Sequence, residues 1–266
     1  MESNKLSQKA FQQNANEYVE RAVVSAMEVL PHVFGLVEPK SVVDMGCGGA
    51  AWLSACCALG VEDVLGIDGD YVELSKLKIP KHKFQAHDLR RPLVIDRTFD
   101  LVMSLEVAEH IPKENAETFV DSLVRLAPVV LFSGAIPFQG GVGHVNEQWP
   151  TYWEGLFRRH GYQVVDCVRR RVWDNDQVDT WYKQNIMLFV EKGYLGRHEA
   201  LSREARISDQ FPLNIVHPNR YIGEADPKNI DFRKVPFSTA WAALTLQTQR
   251  AFRSRLHWRL QRILKM

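Results

Sequence analysis

The fold of this chain is decided by one short stretch, Val42-Val43-Asp44-Met45-Gly46-Cys47-Gly48-Gly49-Ala50. The β-branched run predicts a strand, the glycines predict a sharp turn, and AAWLSACCAL from residue 50 predicts a following helix. Glycine lets the backbone approach a ligand closely, and the start of a helix offers free N–H groups to a carboxylate or phosphate. The stretch therefore predicts a nucleotide-like ligand, although a GxG turn alone does not name it.

Asp68, in the run GIDGDY, supports that prediction. It follows the glycine turn by roughly 20 positions, where a carboxylate after the second strand of such folds accepts hydrogen bonds from ribose hydroxyls. Several classes of nucleotide-binding protein share this arrangement, so the class of ligand stays open at this point.

Working outward, short apolar runs alternate with helical segments between Ser41 and Lys192. This alternation predicts an α/β, Rossmann-like fold, in which a mostly parallel seven-stranded sheet is covered by helices on both faces. The last two strands are close enough in sequence to form an antiparallel pair at one edge. The predicted strands span residues 41–45, 63–68, 83–88, 99–105, 128–134, 162–168 and 185–192.

Three regions follow from this pattern. Residues 1–37 form a helical cover near the ligand, and residues 38–192 form the core. Residues 193–266 contain an irregular linker and then, over 237–266, a basic amphipathic helix that forms a C-terminal extension. That helix has three possible roles, namely packing on its own domain or on a second copy in a homo-oligomer, peripheral membrane contact, and RNA binding. Packing is the commonest of these.

Composition narrows the class of protein. The formal charge of +1 gives no global reason to expect a nucleic-acid partner. The polar N-terminal stretch lacks the apolar core of a signal peptide, and no later stretch has the length to span a bilayer, so we expect a cytoplasmic protein. The cysteines show no CxxC spacing, which predicts reduced thiols; they are Cys47, Cys56, Cys57 and Cys167.

As an ordered set, four motifs resemble those of the class I S-adenosylmethionine-dependent methyltransferases. They are D-x-G-C-G-G at 44–49, GID at 66–68, HDL at 87–89 and FDLVMSLEVAEHI at 99–111. The resemblance covers roughly residues 38–192. Ala50 departs from the family pattern, because many members have a third glycine there.

The resemblance implies S-adenosylmethionine as cofactor and assigns its contacts. Asp44, Gly46 and Gly48 would hold its methionine part, and Asp68 would hold the ribose hydroxyls. For Asp88 alone, a purely structural role at a strand end is an equal alternative. Asp88 and Leu89 would meet the adenine, and the further expected contacts are Cys47 and Leu105.

Glu106, Glu109 and His110 are spaced i, i+3 and i+4, so on a helix they would share one face. Together with His144, from a glycine-rich loop, they predict a divalent metal site, with magnesium or manganese favoured by the carboxylates. E-x-x-E-H is similar to metal-dependent O-methyltransferase branches that act on catechols or on the terminal ribose of small RNAs. A metal-free alternative makes His110 or His144 the catalytic base, and a structural role for the cluster is a third.

We therefore expect an O-methyltransferase acting on a hydroxyl, such as one of a vicinal diol, in a small molecule or glycan. Methylation of an RNA ribose and a noncatalytic cofactor-binding module are the alternatives. Asn146 and Glu147 are expected substrate contacts. The four-residue spacing of Trp149, Trp153 and Phe157 predicts instead a buried helical stripe.

Overall fold

The computed structural model describes residues 2–225, and their side chains from residue 17 to residue 223. The helices are α1 Glu2–Val37, α2 Ala51–Ala58, α3 Ala116–Leu126, α4 Pro150–Arg159, α5 Val168–Val172, α6 Thr180–Asn185, α7 Lys192–Leu195, α8 Glu199–Ser208 and α9 Pro218–Ala225. The strands are β1 Ser41–Met45, β2 Asp63–Asp68, β3 Phe84–Ala86, β4 Leu101–Leu105, β5 Val129–Ser133, β6 Tyr162–Val165 and β7 Met187–Glu191.

The seven strands form one sheet in the order β3-β2-β1-β4-β5-β7-β6. β7 runs antiparallel to both β5 and β6, and the other pairings are parallel. The predicted Rossmann-like sheet with an antiparallel last strand is therefore confirmed. The strand order reverses between β1 and β4, which is where ligands bind in open α/β sheets, beyond the carboxyl ends of the strands.

The central strands are buried on both faces, because helices cover the sheet from two sides. Successive residues of β5 alternate between two apolar clusters: Val129 and Leu131 pack in one, and Val130 and Phe132 pack in the other. The first cluster includes side chains of α1, α2, α5 and α8, and the second includes those of α3 and α4. This explains why the strands are continuously hydrophobic rather than alternating.

Helix α4 tests the aromatic stripe predicted around Trp153. Pro150 occupies the first turn, where its missing N–H costs nothing, so the helix begins after Trp149. Trp153 and Phe157 are buried as predicted, but Trp149 is 38% exposed. The core assignment was wrong for Trp149, because it precedes the helix and does not share its periodicity.

The linker that begins at residue 193 and precedes the predicted C-terminal helix was predicted to be irregular, and its described part differs from that prediction. It contains the end of α7, all of α8, and α9. Leu201 and Ala205 of α8 are buried against the first apolar cluster, so tertiary packing stabilises a helix that the scattered prolines and charges had obscured.

The chain divides into two compact units, one ending at His217 and the other beginning at Pro218. The basic amphipathic helix predicted over 237–266 lies outside the described residues. Within residues 2–225, no helix combines the length and the apolar character needed to cross a bilayer.

Candidate active site

A cavity of about 1200 Å³ opens at the carboxyl ends of β1, β2 and β4. Its walls contain all eight residues predicted from the sequence to contact the cofactor, namely Asp44, Gly46, Cys47, Gly48, Asp68, Asp88, Leu89 and Leu105. The topology explains this convergence, since residues that follow parallel strands meet at one edge of the sheet.

The glycine turn after β1 has a conformation that requires its sequence. Gly46 adopts a φ of +91°, and a Cβ there would lie 2.3 Å from a methyl group of Val107. Gly48 is also left-handed, with a φ of +49°, but a Cβ there would meet open space. Ala50 takes a left-handed φ of 61° just before α2, so the family's third glycine would fit its conformation more easily.

Asp68 ties the second strand to the glycine turn. One carboxylate oxygen accepts a hydrogen bond from the Gly48 N–H at 2.7 Å. The other accepts from the Gly69 N–H at 2.6 Å and from the Tyr71 hydroxyl at 2.5 Å. These three hydrogen bonds fix the orientation of the Asp68 carboxylate, which lies in the cavity wall.

Asp44 is buried at the end of β1, facing the same cavity. Burial, together with the negative charge of Asp68, raises its pKa to about 8. An isolated buried carboxylate is costly, and a cationic ligand group beside it would offset that cost. The α-ammonium group of a methionine moiety has the required charge.

Asp88 lines the cavity, but its carboxylate is already engaged. Arg90 donates to both oxygens, from Nε at 2.8 Å and from the guanidinium at 2.9 Å. These bonds hold the pKa of Asp88 down at about 2. The structural role weighed for Asp88 therefore has direct support, while the neighbouring Leu89 contributes an apolar surface to the cavity.

Several cavity residues were not predicted from the sequence as site residues. α1 contributes Tyr18, Val19 and Ala22, and Trp52 of α2 and Tyr182 of α6 also line the cavity. The Trp52 indole donates to the Tyr182 hydroxyl at 3.2 Å, with the rings edge to face. The sequence signal for them was the expectation that an N-terminal helix lies near the ligand, and three residues of α1 line the cavity.

Glu106 follows β4 with a left-handed φ of 55°, so the segment 106–110 is not the helix assumed from the E-x-x-E-H spacing. Only residues 108–110 form a single 3₁₀ turn. Carboxylate oxygens of Glu106 accept hydrogen bonds from the Gln139 amide at 2.8 Å and the Asn185 amide at 3.0 Å. Burial raises its pKa, and these amides oppose the rise.

Glu109, His110 and His144 do come together, with one potential ligand atom from each lying within 4.8 Å of the others. The His144 Nε2 is 3.9 Å from a Glu109 oxygen, and the two imidazole rings meet edge to face at 4.9 Å. Glu106, predicted as a fourth ligand, is not part of this group. His110 also lines the cavity, so the group borders the place where the cofactor would bind.

The Glu109 carboxyl group is buried with neither oxygen in a hydrogen bond of ordinary geometry. Burial and the negative charge of Glu106 raise its pKa to about 9, although nearby backbone N–H groups oppose part of that rise. Partial burial of the ring lowers the pKa of His110. Unpartnered carboxylate oxygens beside two imidazoles form a donor set that a divalent cation would satisfy.

Glu147 and Asn146, both expected to contact substrate, lie beside this group. The Glu147 carboxylate lies 2.9 Å from His144 Nδ1, and it accepts hydrogen bonds from the backbone N–H groups of Phe138 and Gly140. Asn146 is buried, and its side-chain oxygen accepts a hydrogen bond from the Gln148 amide. Glu147 thus holds the His144 loop together.

Comparison with known proteins agrees with the fold. A profile described as a methyltransferase domain matches residues 15–163, more than half of the chain. No curated protein gives a significant sequence match.

Two of the solved structures that resemble this chain share its architecture at low identity. DesVI of Streptomyces venezuelae is 12% identical with a TM-score of 0.54, covering 70% of this chain and 98% of that one. Magnesium protoporphyrin IX methyltransferase of Synechocystis PCC 6803, solved with bound SAH, is 17% identical with a TM-score of 0.50. The match covers 66% of this chain and 84% of that one. A Bacillus halodurans C-125 protein assigned as a methyltransferase is 17% identical with a TM-score of 0.39. The match covers 47% of this chain and 63% of that one, so this chain spans less than two thirds of that protein.

The strand order, the glycine turn and the cavity at the switch point together have the class I methyltransferase architecture. The chain belongs to the methyltransferase-domain family, and it is an S-adenosylmethionine-dependent methyltransferase.

Proposed function

We propose that this methyltransferase transfers the methyl group to a hydroxyl oxygen of a small molecule or carbohydrate, with vicinal diols as the favoured acceptors. A divalent metal ion, magnesium or manganese, would be held by Glu109, His110 and His144. The observation that carries the proposal is this group of three residues at the cavity edge, with neither Glu109 oxygen in a hydrogen bond of ordinary geometry.

On the cofactor side, the chain's own residues provide binding and orientation. Asp44 offers a carboxylate to the α-ammonium group, and the left-handed turn at Gly46 and Gly48 brings backbone close to the ligand. Asp68 offers its oxygens to the ribose hydroxyls. α1 contributes Tyr18, Val19 and Ala22 to the cavity wall, where they would contact the bound cofactor.

The reaction breaks the bond between sulfur and methyl, forms a bond between oxygen and methyl, and releases the hydroxyl proton. The cofactor supplies a methyl group activated by a positively charged sulfur, and a metal ion supplies Lewis acidity that lowers the pKa of a bound hydroxyl. With a cation bound, Glu109 would supply negative charge, and His110 and His144 would supply neutral nitrogen donors. Their position at the cavity edge would fix an acceptor oxygen in line with the methyl group.

A second candidate mechanism needs no metal. His144 Nδ1 lies 2.9 Å from the Glu147 carboxylate, which is the pairing of a general base with an orienting carboxylate. In that mechanism the His144 Nε2 accepts the hydroxyl proton, and Glu147 stabilises the resulting imidazolium.

A methyl-transfer assay on catechol and on methyl glycosides tests both mechanisms. We expect the chelated wild type to lose activity and to regain it with Mg²⁺ or Mn²⁺. His144→Ala should lower turnover about 10²-fold or more under all conditions, because both mechanisms use this side chain. His82→Ala removes an exposed histidine and should leave turnover unchanged, so it is the matched control.

Three outcomes separate the possibilities. Full activity with chelator present, combined with loss in His144→Ala, contradicts the metal and supports the general base. Unchanged activity in His144→Ala contradicts both mechanisms. Methylation of amines but not hydroxyls contradicts the proposed acceptor atom.

A further inference from the structure

The two histidines of the group share a feature that the metal proposal alone does not require. His110 Nδ1 lies 3.2 Å from the carbonyl oxygen of Gly143, and His144 Nδ1 lies 2.9 Å from the carboxylate of Glu147. Carbonyl and carboxylate oxygens only accept hydrogen bonds, so each Nδ1 must carry the proton. In both neutral rings, Nε2 is then the nitrogen with a free lone pair.

In His144, the nitrogen with the free lone pair, Nε2, faces the group formed by Glu109, His110 and His144. Its Nε2 lies 3.9 Å from the buried Glu109 oxygen, on the side of the ring away from Glu147. The sequence makes room for this placement at Gly141, since a Cβ there would lie 2.2 Å from the same Nε2. The ring position therefore depends on the loop backbone as well as on its carboxylate partner.

Glu147 also holds that loop backbone. One of its oxygens accepts from the Phe138 N–H at 2.8 Å, and the other accepts from the Gly140 N–H at 2.6 Å. Phe138 has a φ of 67°, which is unfavourable for a residue with a side chain, so the loop needs such contacts to keep its shape. One carboxylate thus fixes both the loop and the imidazole that the loop carries.

We propose that Glu147 is a positioning residue, which sets the Nδ1–H tautomer of His144 and aims its Nε2 at Glu109. This inference rests on the proposed function for its consequence, because a fixed lone pair prepares His144 either to bind a cation or to accept a proton. A hydrogen bond from the second ring nitrogen to a carboxylate is the usual way in which proteins orient metal-binding histidines. It also reassigns Glu147 from substrate contact to support of His144.

Nitrogen NMR of the metal-free protein, labelled with ¹⁵N-histidine, measures the tautomer directly. The His144 signals are identified by their loss in His144→Ala. Spectra are recorded at a pH high enough for the imidazole rings to be neutral. We expect the Nδ1–H tautomer in the wild type. Glu147→Ala should shift His144 towards Nε2–H, the form that free histidine prefers, whereas Glu147→Gln should retain Nδ1–H because an amide oxygen still accepts.

Glu154→Ala is the matched control, since it removes a carboxylate of α4 that faces Arg158 rather than the site. It should leave the His144 tautomer unchanged. An Nε2–H tautomer in the wild type would overturn the inference without the Glu147→Ala variant, so the test survives if that variant fails to fold. Retention of Nδ1–H in a folded Glu147→Ala would overturn it as well.

Mn²⁺ binding, measured by calorimetry, separates this inference from the proposed function. If the wild type binds Mn²⁺, Glu147→Ala should weaken binding by about 10–100-fold, and Glu147→Gln should weaken it less. Absence of Mn²⁺ binding by the wild type contradicts the metal proposal, but the metal-free tautomer still decides the role of Glu147. A rise only in the acceptor KM of Glu147→Ala, with tautomer and metal affinity unchanged, would restore Glu147 as a substrate contact and refute the inference.

Discussion

Replacing Asp44 with asparagine should remove most of the pH dependence of cofactor binding between pH 6 and pH 7. In the wild type, burial and the charge of Asp68 raise the Asp44 pKa to about 8, so this carboxyl group is mostly protonated in the empty cavity. A ligand with an α-ammonium group binds the ionised form. Below pH 8, the ionised fraction of Asp44 rises about tenfold per pH unit, which corresponds to ~1.4 kcal/mol of binding free energy.

Isothermal calorimetry with S-adenosylhomocysteine measures this effect without turnover. We expect the wild-type Kd to fall roughly tenfold from pH 6 to pH 7, and the Kd of Asp44→Asn to change little. Asp70→Asn, at an exposed position on the cavity wall, is the matched control and should keep the wild-type pH dependence. A tenfold change that persists in Asp44→Asn would refute the assignment of Asp44 to the ammonium group.

The same pKa shift has a consequence for the unliganded protein. Asp44 binds its proton more tightly in the folded state than in the unfolded state, so its contribution to stability is present below about pH 4 and is lost as the pH rises through about 8. Urea unfolding should therefore show that Asp44→Asn loses less stability than the wild type between these pH values. An equal or larger loss in the variant would contradict the raised pKa.

Two further predictions concern stability and use urea unfolding with matched pairs. Gly46→Ala should lower the free energy of unfolding by about 2–4 kcal/mol, since its Cβ meets Val107 from a left-handed backbone. Gly48 also has a positive φ, but a Cβ there would meet open space, so Gly48→Ala should lower the free energy of unfolding by only about 1 kcal/mol. Equal losses of stability in the two variants would contradict the packing argument. Trp153→Ala should cost about 3–5 kcal/mol because the ring is fully buried. Trp149→Ala should cost less than about 1 kcal/mol, and a larger loss would place Trp149 in the core after all.

The sheet was predictable because its signals are local. The runs SVVDM and DVLGID match β1 and β2 residue for residue, since apolar β-branched residues bounded by turn formers leave few other conformations. The glycine turn and Asp68 converge for the same reason, because parallel strands end at one edge.

The candidate metal site was predicted for a reason that the structure does not support. A helical face would have joined Glu106 to Glu109, but the left-handed Glu106 turns its carboxylate towards Gln139 and Asn185 instead. Those two partners are 33 and 79 residues away along the chain, and no spacing rule connects them. Tyr182 also lines the cavity although it is far along the chain from the glycine turn. The cavity residues that the sequence did not predict are therefore those that tertiary packing alone brings to the site.

Anomalous diffraction from crystals grown with S-adenosylhomocysteine and Mn²⁺ tests the central claim most directly. The account predicts a manganese peak bound by Glu109, His110 and His144, beside a cofactor whose ammonium group meets Asp44. A cofactor in the cavity with no anomalous peak at these three residues would contradict metal assistance in this enzyme.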